Sequence, residues 1–442
     1  MRIPGASVLL LAVVAASIGL SEHVVRPKER PGRIVVSYWE KWTGFEGEAM
    51  REVVDEFNRS QDRIWVDYLS ISAVNTKTLM AAAAGIPPDL AGIWDTDVAP
   101  FADANAVLVL DELCSEAGIR QEDYIPVYWD ICEYRGQIFA LPTTPASTAL
   151  HWNRRLFREA GLDPDVPPKT LEELFAMGEK ITQRGSDGKL KVAGFFPAEP
   201  GWWNWGWGYV FGGKLWDGGG NVTANLPENI RAFEWVRSFS EKYGSSDLHT
   251  FRSGFGNFSS PQNAFMSEKV AMVLQGVWMA NFIERNNPKL DWSAAPFPHP
   301  ADRPDLANLT FAGLDVLVIP RGAKRPREAF EFVRFVQSQK GMELLCLGQK
   351  KHTPLMKVSD EFLRKHPNPH IRLFIDLAKG KNAVSAPQVG IWTEFNSEMT
   401  NAFDEVYLMK KTPKEALGHV QARMQPKLER YQQALRQREA AR

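Results

Sequence analysis

The densest set of side chains that could bind a ligand is a run of tryptophans between residues 202 and 207. Trp202, Trp203, Trp205 and Trp207 occupy four of these six positions, and Asn204 lies among them. Indole rings stack on the apolar C–H faces of sugars, while an amide can hydrogen-bond their hydroxyl groups. The run therefore predicts a carbohydrate platform. The alternative is a loop that packs on its own aromatic rings, and we expect one or two of the four rings to do that.

Two further candidate clusters follow segments that have the pattern of β-strands. The first is Trp42 with Glu46, and the second is Trp94 with Asp95. A ring just beyond a strand is positioned for stacking, and a carboxylate beside it can accept a hydrogen bond from a hydroxyl group. We favour Trp42 over Trp39, since Trp39 can point into the core. Both carboxylates have a local alternative role, because Glu46 can interact with a helix dipole and Asp95 can cap the next helix.

No catalytic or metal-binding pattern accompanies these clusters. The sequence contains no CxxC, HExxH, GxSxG, GxGxxG or P-loop pattern, and its eight His are scattered. The 52 Lys and Arg nearly balance the 53 Asp and Glu, which argues against a nucleic-acid partner. A hydrophobic content of 44% and a charged content of 24% are ordinary for a soluble globular protein. We therefore expect a binding protein without a metal or cofactor.

The three cysteines leave two alternatives open. Cys114, Cys132 and Cys346 allow at most one disulfide and leave at least one thiol. Cys114 and Cys132 are the nearer pair in the sequence and would be the bridge. Three buried free thiols are the other alternative.

The beginning of the chain predicts export. Arg2 precedes Val8–Leu20, an uninterrupted stretch of 13 apolar or small residues. That length suits the core of a signal peptide and is short for a membrane span. We expect residues 1–21 to be a signal peptide or an uncleaved anchor and residues 22–32 to be a linker. Because no cysteine lies near this segment, we expect no lipid attachment.

The elements that must position the candidate clusters alternate between strands and helices. The predicted strands cover 34–39, 64–69, 90–94, 137–142, 149–152 and 316–319, and the predicted helices cover 46–60, 75–84, 171–182, 227–243 and 327–347. This alternation predicts α/β units around a mostly parallel sheet, in which ligands bind beyond the carboxyl ends of the strands. The rule brings Trp42, Trp94 and Asp95 to one crevice.

Several segments occur in an order that carries more information than any one of them. They are Ser37-Tyr-Trp-Glu-Lys-Trp-Thr-Gly44, Ala81-Ala-Ala-Ala-Gly-Ile-Pro-Pro-Asp89, Gly136-Gln-Ile-Phe-Ala-Leu-Pro142, Trp152-Asn-Arg-Arg-Leu-Phe-Arg-Glu-Ala-Gly-Leu162, Phe265-Met-Ser-Glu-Lys-Val-Ala-Met272, Gly276-Val-Trp278 and Gly313-Leu-Asp315. Together they resemble the family 1 extracellular solute-binding proteins of ABC transporters, the group that contains maltose-binding protein. The resemblance covers about residues 33–360, and the chain beyond is similar only in being helical.

The resemblance implies an α/β, two-lobed periplasmic-binding-protein fold (type II) with a hinged cleft between the lobes. By analogy, residues 33–144 plus 296–347 form the first lobe, and residues 147–292 plus 352–442 form the second. The chain would cross between the lobes near 143–147, 292–300 and 348–353. This division is taken from the family and not from the spacing of residues.

The resemblance also adds candidate ligand contacts. In this family the aromatic residue of the Gly276–Trp278 motif often stacks on the sugar, and Gly276 would permit a close approach of the backbone. Asp315 lies where many members have a polar ligand contact, and Trp392 is an aromatic residue that could reach the cleft. A sugar is favoured over a phosphate-bearing solute because the clusters are aromatic and acidic, with Lys41 as their single base.

The function implied is capture of a sugar or oligosaccharide for an ABC importer, without catalysis. The partners would be the sugar and the membrane permease subunits, and the chain would be a monomer in the periplasm or at the cell surface. Tethering by an uncleaved N-terminal segment is an alternative to release. One alternative is a binding protein for another polar solute, such as a glycerol phosphodiester. A secreted glycoside hydrolase is a second alternative, since such enzymes also have Trp-rich clefts and use paired carboxylates.

Overall fold

The computed structural model describes residues 30–257 and 259–440. The predicted signal or anchor segment and most of the predicted linker therefore lie outside the described residues. The strands are β1 (Ile34–Glu40), β2 (Ile64–Ser70), β3 (Leu90–Trp94), β4 (Glu133–Tyr134), β5 (Gln137–Ile138), β6 (Leu141–Asn153), β7 (Gln183–Arg184), β8 (Leu190–Phe195), β9 (Val270–Gly276), β10 (Trp292–Ala295), β11 (Thr310–Val318) and β12 (Ala383–Val384). Strands β1, β2 and β3 confirm the predicted segments to within one residue.

Helices cover both faces of the sheet and form most of the C-terminal third. In chain order they are α1 (Gly44–Ser60), α2 (Val74–Ala83), α3 (Val98–Asp103), α4 (Asp111–Ala117), α5 (Pro126–Cys132), α6 (Arg154–Glu159), α7 (Leu171–Ile181), α8 (Trp207–Val210), α9 (Pro227–Tyr243), α10 (Ser245–Ser253), α11 (Met279–Asn286), α12 (Pro326–Gln337), α13 (Gln339–Gln349), α14 (Asp360–Lys365), α15 (Ile371–Lys379), α16 (Trp392–Tyr407) and α17 (Pro413–Ala440). None of these helices combines the length and the hydrophobicity that a membrane span requires.

The strands form two lobes that share one connected sheet with the order β2-β1-β3-β11-β6-β9-β8-β7. In the first lobe, β1 lies between β2 and β3 and is parallel to both. In the second lobe, β6 is antiparallel to β9, and β9 is parallel to β8. The sheet is therefore mixed, and the predicted mostly parallel sheet is wrong. The antiparallel pairs arise because β6 and β11 run between the lobes.

Strands β6 and β11 cross from one lobe to the other. At one end of β6, Leu141 pairs with Leu317 of the first lobe, and further along Leu150 pairs with Leu274 of the second. The sequence predicted two strands separated at Thr143–Ser147, whereas the structure has one strand of 13 residues. Pro145 is tolerated in it because the pairing with β11 is irregular between Leu314 and Val316, where a missing N–H costs little.

Core packing shows which segments belong to which lobe. Phe297, Leu309 and Phe311 lie in the hydrophobic core of the second lobe. Leu355 and Phe362 lie in that of the first lobe. These contacts differ from the predicted boundaries at 296 and 352, because buried side chains rather than chain order assign a segment to a core. The division of the whole chain into lobes otherwise stays a prediction.

The three cysteines are free thiols. Cys114, Cys132 and Cys346 are all buried and unbridged, so the second of the two alternatives is the one observed. Burial raises the pKa of the Cys114 thiol to about 12, which keeps it protonated and unreactive at neutral pH.

Two threonines tie the crossing strands together where they leave the second lobe. The Thr310 hydroxyl accepts a hydrogen bond from the Thr148 N–H at 2.8 Å and donates to the Thr148 carbonyl at 2.9 Å. The Thr148 hydroxyl in turn accepts from the N–H of Phe311 at 2.9 Å. Both threonines are fully buried, so no water replaces these partners.

We expect Thr310→Val to lower the free energy of unfolding by about 1–3 kcal/mol, because the shape is kept while the buried Thr148 N–H and carbonyl lose their partner. Urea unfolding followed by circular dichroism measures this change. Thr250→Val, on the exposed side of α10, is the matched control and should have a smaller effect. Equal effects of the two substitutions would contradict a structural role for the threonine pair.

Candidate functional site

A cavity of about 450 Å³ lies between the lobes, within the size range of small-molecule sites. Ten of the twelve candidate residues line it, and the two others, Asn204 and Gly276, do not. The ten are Trp42, Glu46, Trp94, Asp95, Trp202, Trp203, Trp205, Trp278, Asp315 and Trp392. Their role as ligand contacts stays a prediction, since the structure shows their placement and not a bound solute.

The first-lobe wall of the cavity is formed by Trp42 and Trp94. Trp42 lies two residues after the end of β1, and Trp94 is the last residue of β3. Because β1 and β3 are parallel neighbours, the two rings meet at the same edge of the sheet. Their centroids are 5.5 Å apart in an edge-to-face arrangement. Trp94 is 45% exposed and lines the cavity. Trp39 is buried, as expected for a core residue.

Trp42 and Trp94 differ in what surrounds them. The Lys41 ammonium lies 4.9 Å from the centroid of the Trp42 ring, and the Lys351 ammonium lies 4.5 Å from it. Lys41 also lies 4.6 Å from the Trp94 centroid. Cations at these distances are attracted to the indole π-system and hold the Trp42 ring in place. Trp94 is exposed whereas Trp42 is half-buried, so Trp94 offers the larger surface for stacking.

The second-lobe wall is a continuous aromatic surface. Trp202 lies 5.9 Å from Trp278, and Trp203 lies 6.4 Å from it, between ring centroids. Trp203 stacks on Phe311 of β11 at 5.5 Å with an interplanar angle of 6°. Trp202 is 39% exposed, so its ring is open to a ligand. These rings come from three distant chain segments and meet only in the folded lobe.

The remaining rings of the Trp run pack inward. Trp207 is 1% exposed and belongs to the second-lobe core. Trp205 contacts Trp392 edge-to-face at 5.2 Å, and both are buried with only an edge at the cavity. The Asn204 side chain is buried away from the cavity, and no hydrogen-bond partner for its Oδ1 is found among the described residues. Trp205 and Trp207 thus pack on rings of the second-lobe core rather than on the other rings of the Trp run.

Gly276 does not line the cavity but makes room for Trp278 of the second-lobe wall. A Cβ atom at this position would lie 2.2 to 2.4 Å from three carbons of the Trp278 indole. The glycine therefore makes room for the ring of Trp278, and the expectation that it admits the ligand to the backbone is not what the geometry shows. The sequence shows that Gly276 lies two residues before Trp278. Only the folded backbone shows that the Trp278 ring packs against the glycine.

Polar groups are distributed among the rings. The indole N–H groups of Trp42, Trp203 and Trp278 are buried, and none has a hydrogen-bond partner among the described residues. Each belongs to a residue that lines the cavity, although the nitrogen itself is shielded from solvent in this conformation. Glu46 and Asp315 provide acceptors, although both are engaged by lysines. Sequence reasoning missed Lys351, since the His352-Thr-Pro354 region resembles the family only loosely.

Asp95 is a carboxyl group with an unusual environment at the cavity floor. It accepts hydrogen bonds from the N–H of Thr96 at 2.8 Å and the N–H of Leu314 at 3.0 Å, which ties β3 to the crossing strand. Burial raises the pKa of Asp95 to about 7, and the nearby charge of Asp315 adds to this, while the two hydrogen bonds lower it. Asp95 therefore acts as a link between strands as well as a possible ligand contact.

Comparison with known proteins gives one matching family and many similar structures. The family described as bacterial extracellular solute-binding protein matches residues 44–343. The structure of CpMnBP1 with mannotriose bound has a TM-score of 0.77 and 27% identity, covering 88% of this chain and 99% of that one. The sugar-binding protein MalE from Xanthomonas citri has a TM-score of 0.76 and 20% identity, covering 91% and 100%. At that identity the likeness shows the two-lobed fold alone.

One relative is named for a different ligand. The sn-glycerol-3-phosphate-binding periplasmic protein UgpB of Pectobacterium atrosepticum is 22% identical over 436 residues, covering 90% of this chain and 92% of that protein. The maltotriose-binding protein of Pyrococcus abyssi is 20% identical over 307 residues, covering 69% and 62%. Sequence similarity at this level therefore does not choose between the two solute classes.

The raised pKa of Asp95 predicts a pH dependence of stability. The folded protein holds this proton up to about pH 7, whereas an unfolded Asp releases it near pH 4. Stability from this group is therefore lost as pH rises between those values, by at most about 1.4 kcal/mol per pH unit. Water in the cavity will reduce that slope.

Asp95→Asn removes the titration. Wild type loses stability from Asp95 as the pH rises from 4 to 8, whereas the variant does not. We therefore expect the free energy of unfolding of the variant, minus that of wild type, to increase over this range. Urea unfolding at several pH values measures it, and other titrating groups cancel in the difference. A difference that stays flat with pH would show that Asp95 titrates normally.

Proposed function

This chain belongs to the bacterial extracellular solute-binding protein family, and we propose that it captures a sugar or oligosaccharide for an ABC importer. The observation that carries the proposal is the cavity between the lobes, which exposes Trp94 from one lobe and Trp202 from the other. Flat aromatic surfaces on opposite walls fit the C–H faces of pyranose rings. The unpartnered indole N–H groups supply donors for the hydroxyl groups.

The solved structures support this solute class. CpMnBP1 was determined with mannotriose and with mannobiose, at 27% and 26% identity to this chain. A cyclic maltosyl-maltose binding protein of Arthrobacter globiformis has the same fold at 18% identity. The specific observation in favour of the other class, glycerol phosphates, is the name of the UgpB relatives.

The mechanism we propose is closure of the two lobes on the solute. The lobes are joined by β6 and β11, so a change in these strands alters the width of the cleft. Because the exposed rings lie on different lobes, a bound sugar contacts both only when the cleft is closed, and it therefore favours that state. The closed form would dock on the permease subunits as a monomer. No catalytic step is part of this function.

The proposed function implies that the protein acts outside the cytoplasm. The family is extracellular and the UgpB relatives are periplasmic by name. We place this protein in the periplasm or at the cell surface, with residues 1–21 as its signal peptide or its tether.

We expect one class of sugar to give a saturable change in intrinsic Trp fluorescence and a rise in melting temperature, because ligand binds the folded state alone. A panel of mono- and oligosaccharides, including mannobiose, mannotriose and maltotriose, is titrated into the purified chain, and sn-glycerol 3-phosphate is titrated in parallel. Reducing-end analysis of the same samples tests for hydrolysis. A response limited to glycerol phosphates would overturn the solute class, and release of reducing sugar would overturn the assignment as a binding protein.

Gly276→Ala should weaken sugar binding without touching the sugar. The added methyl group overlaps the indole of Trp278, so the ring must leave the wall. We expect the Kd measured by isothermal titration calorimetry to rise about tenfold or more. Gly418→Ala is the matched control, because its Cβ would meet nothing within 4 Å on α17. Unchanged affinity in Gly276→Ala would remove Trp278 from the binding surface.

A further inference from the structure

Two lysines are buried at the first-lobe side of the cleft. The side chain of Lys41, directly after β1, is 7% exposed, and that of Lys351, just after α13, is 5% exposed. Burial of an ammonium group costs several kcal/mol unless a carboxylate compensates it. Desolvation lowers the pKa of Lys41, but the charges of Asp315 and Glu40 outweigh it and raise the pKa above its ordinary value. Lys41 is therefore charged at neutral pH.

Asp315 of the crossing strand lies between the two lysines. Its Oδ1 is 3.1 Å from the Lys41 ammonium and its Oδ2 is 3.8 Å from that of Lys351. Each lysine has a second carboxylate of its own. Lys41 is 3.2 Å from Glu40, and Lys351 is 3.0 Å from Glu46. Asp315 also accepts a hydrogen bond from the Thr144 hydroxyl at 3.0 Å.

The charges in this cluster do not balance. Three carboxylates, Glu40, Glu46 and Asp315, compensate two ammonium groups, and the surplus charge is negative. Asp95 lies close enough to Asp315 for the two charges to interact and adds to the surplus when ionised. Because Glu40 and Asp315 are buried, their charges are screened less than charges at the protein surface.

We infer that this cluster makes the cleft reject anionic solutes, with Asp315 and Glu46 as the residues that determine this specificity. The inference deepens the proposed function, because it restricts the solute to uncharged sugars. A phosphate group entering the cleft would meet lysines that are already compensated, next to carboxylates that repel it. The lysines are thereby positioning residues for Trp42, which lies within 4.9 Å of both ammonium groups.

Removing two of the carboxylates that line the cavity shifts the balance toward positive charge. In the double variant Glu46→Gln with Asp315→Asn, Lys351 loses both of the carboxylates that face it, while Lys41 keeps Glu40. Both amides keep the size of the side chains they replace. The variant cleft is then less negative than that of wild type by two charges, and Lys351 is the group that an anion would meet.

The test is isothermal titration calorimetry of the full chain with sn-glycerol 3-phosphate, with inorganic phosphate and with the neutral sugars of the panel. We expect wild type to give no saturable heat with either phosphate ligand at millimolar concentration. We expect the double variant to bind them at least tenfold more tightly than wild type, and Glu46→Gln alone to show a smaller gain in the same direction. Glu234→Gln on the exposed face of α9 removes a charge far from the cleft and should show no gain.

The outcomes separate this inference from the proposed function. Wild type that binds a phosphate ligand as tightly as a sugar overturns the inference, whether or not the double variant folds. A folded double variant without any gain for phosphate also overturns it. If no sugar binds wild type but the variants gain phosphate affinity in the expected order, the charge selection stands and the sugar assignment fails.

Discussion

The arrangement of the molecule depends on the antiparallel pairing of two strands that run between the lobes. Ala312 and Gly313 of β11 pair with Ser147 and Ala146 of β6 at the point of crossing. The two strands then diverge into the sheets of different lobes. Because every backbone group at the crossing must find a partner once it is buried, the lobes can be joined here only in this register. The cavity lies at this crossing, since Ala146, Ala312 and Gly313 line it.

The aromatic walls of the cleft are attached to the same crossing. Phe311 lies on β11, and Trp203 stacks on it. A Cβ on Gly206 would lie 2.6 Å from the Phe311 ring, so the backbone of the Trp run is packed directly on this strand. The second-lobe wall is thus fixed to a strand that crosses between the lobes. In the closure that we propose, a change of angle at the crossing would move Trp203 relative to Trp94 on the other lobe.

The polar part of the cleft depends on β11 as well, through Asp315. Its two oxygens are shared by Lys41, Lys351 and the Thr144 hydroxyl, which belong to three separate chain segments. This cluster fixes the orientation of Trp42 and leaves Trp94 as the open ring. Aromatic stacking alone would not distinguish a free sugar from a phosphorylated one, since both have the same C–H faces. The distribution of charge beneath the rings supplies that difference.

The sequence by itself determined the local elements and half of the cavity lining. Strands β1 to β3 and helix α1 were predicted within two residues, because hydrophobic periodicity and breakers such as Gly85-Ile-Pro-Pro88 act locally. Trp42 and Trp94 follow from the rule that ligands bind at strand carboxyl ends. Tertiary structure alone decided that Trp207 is core while Trp202 is open, that Gly276 serves Trp278, and that Lys351 lies beside Trp42. Each of these depends on neighbours that are distant in the sequence, and burial and charge compensation exist only once those neighbours have come together.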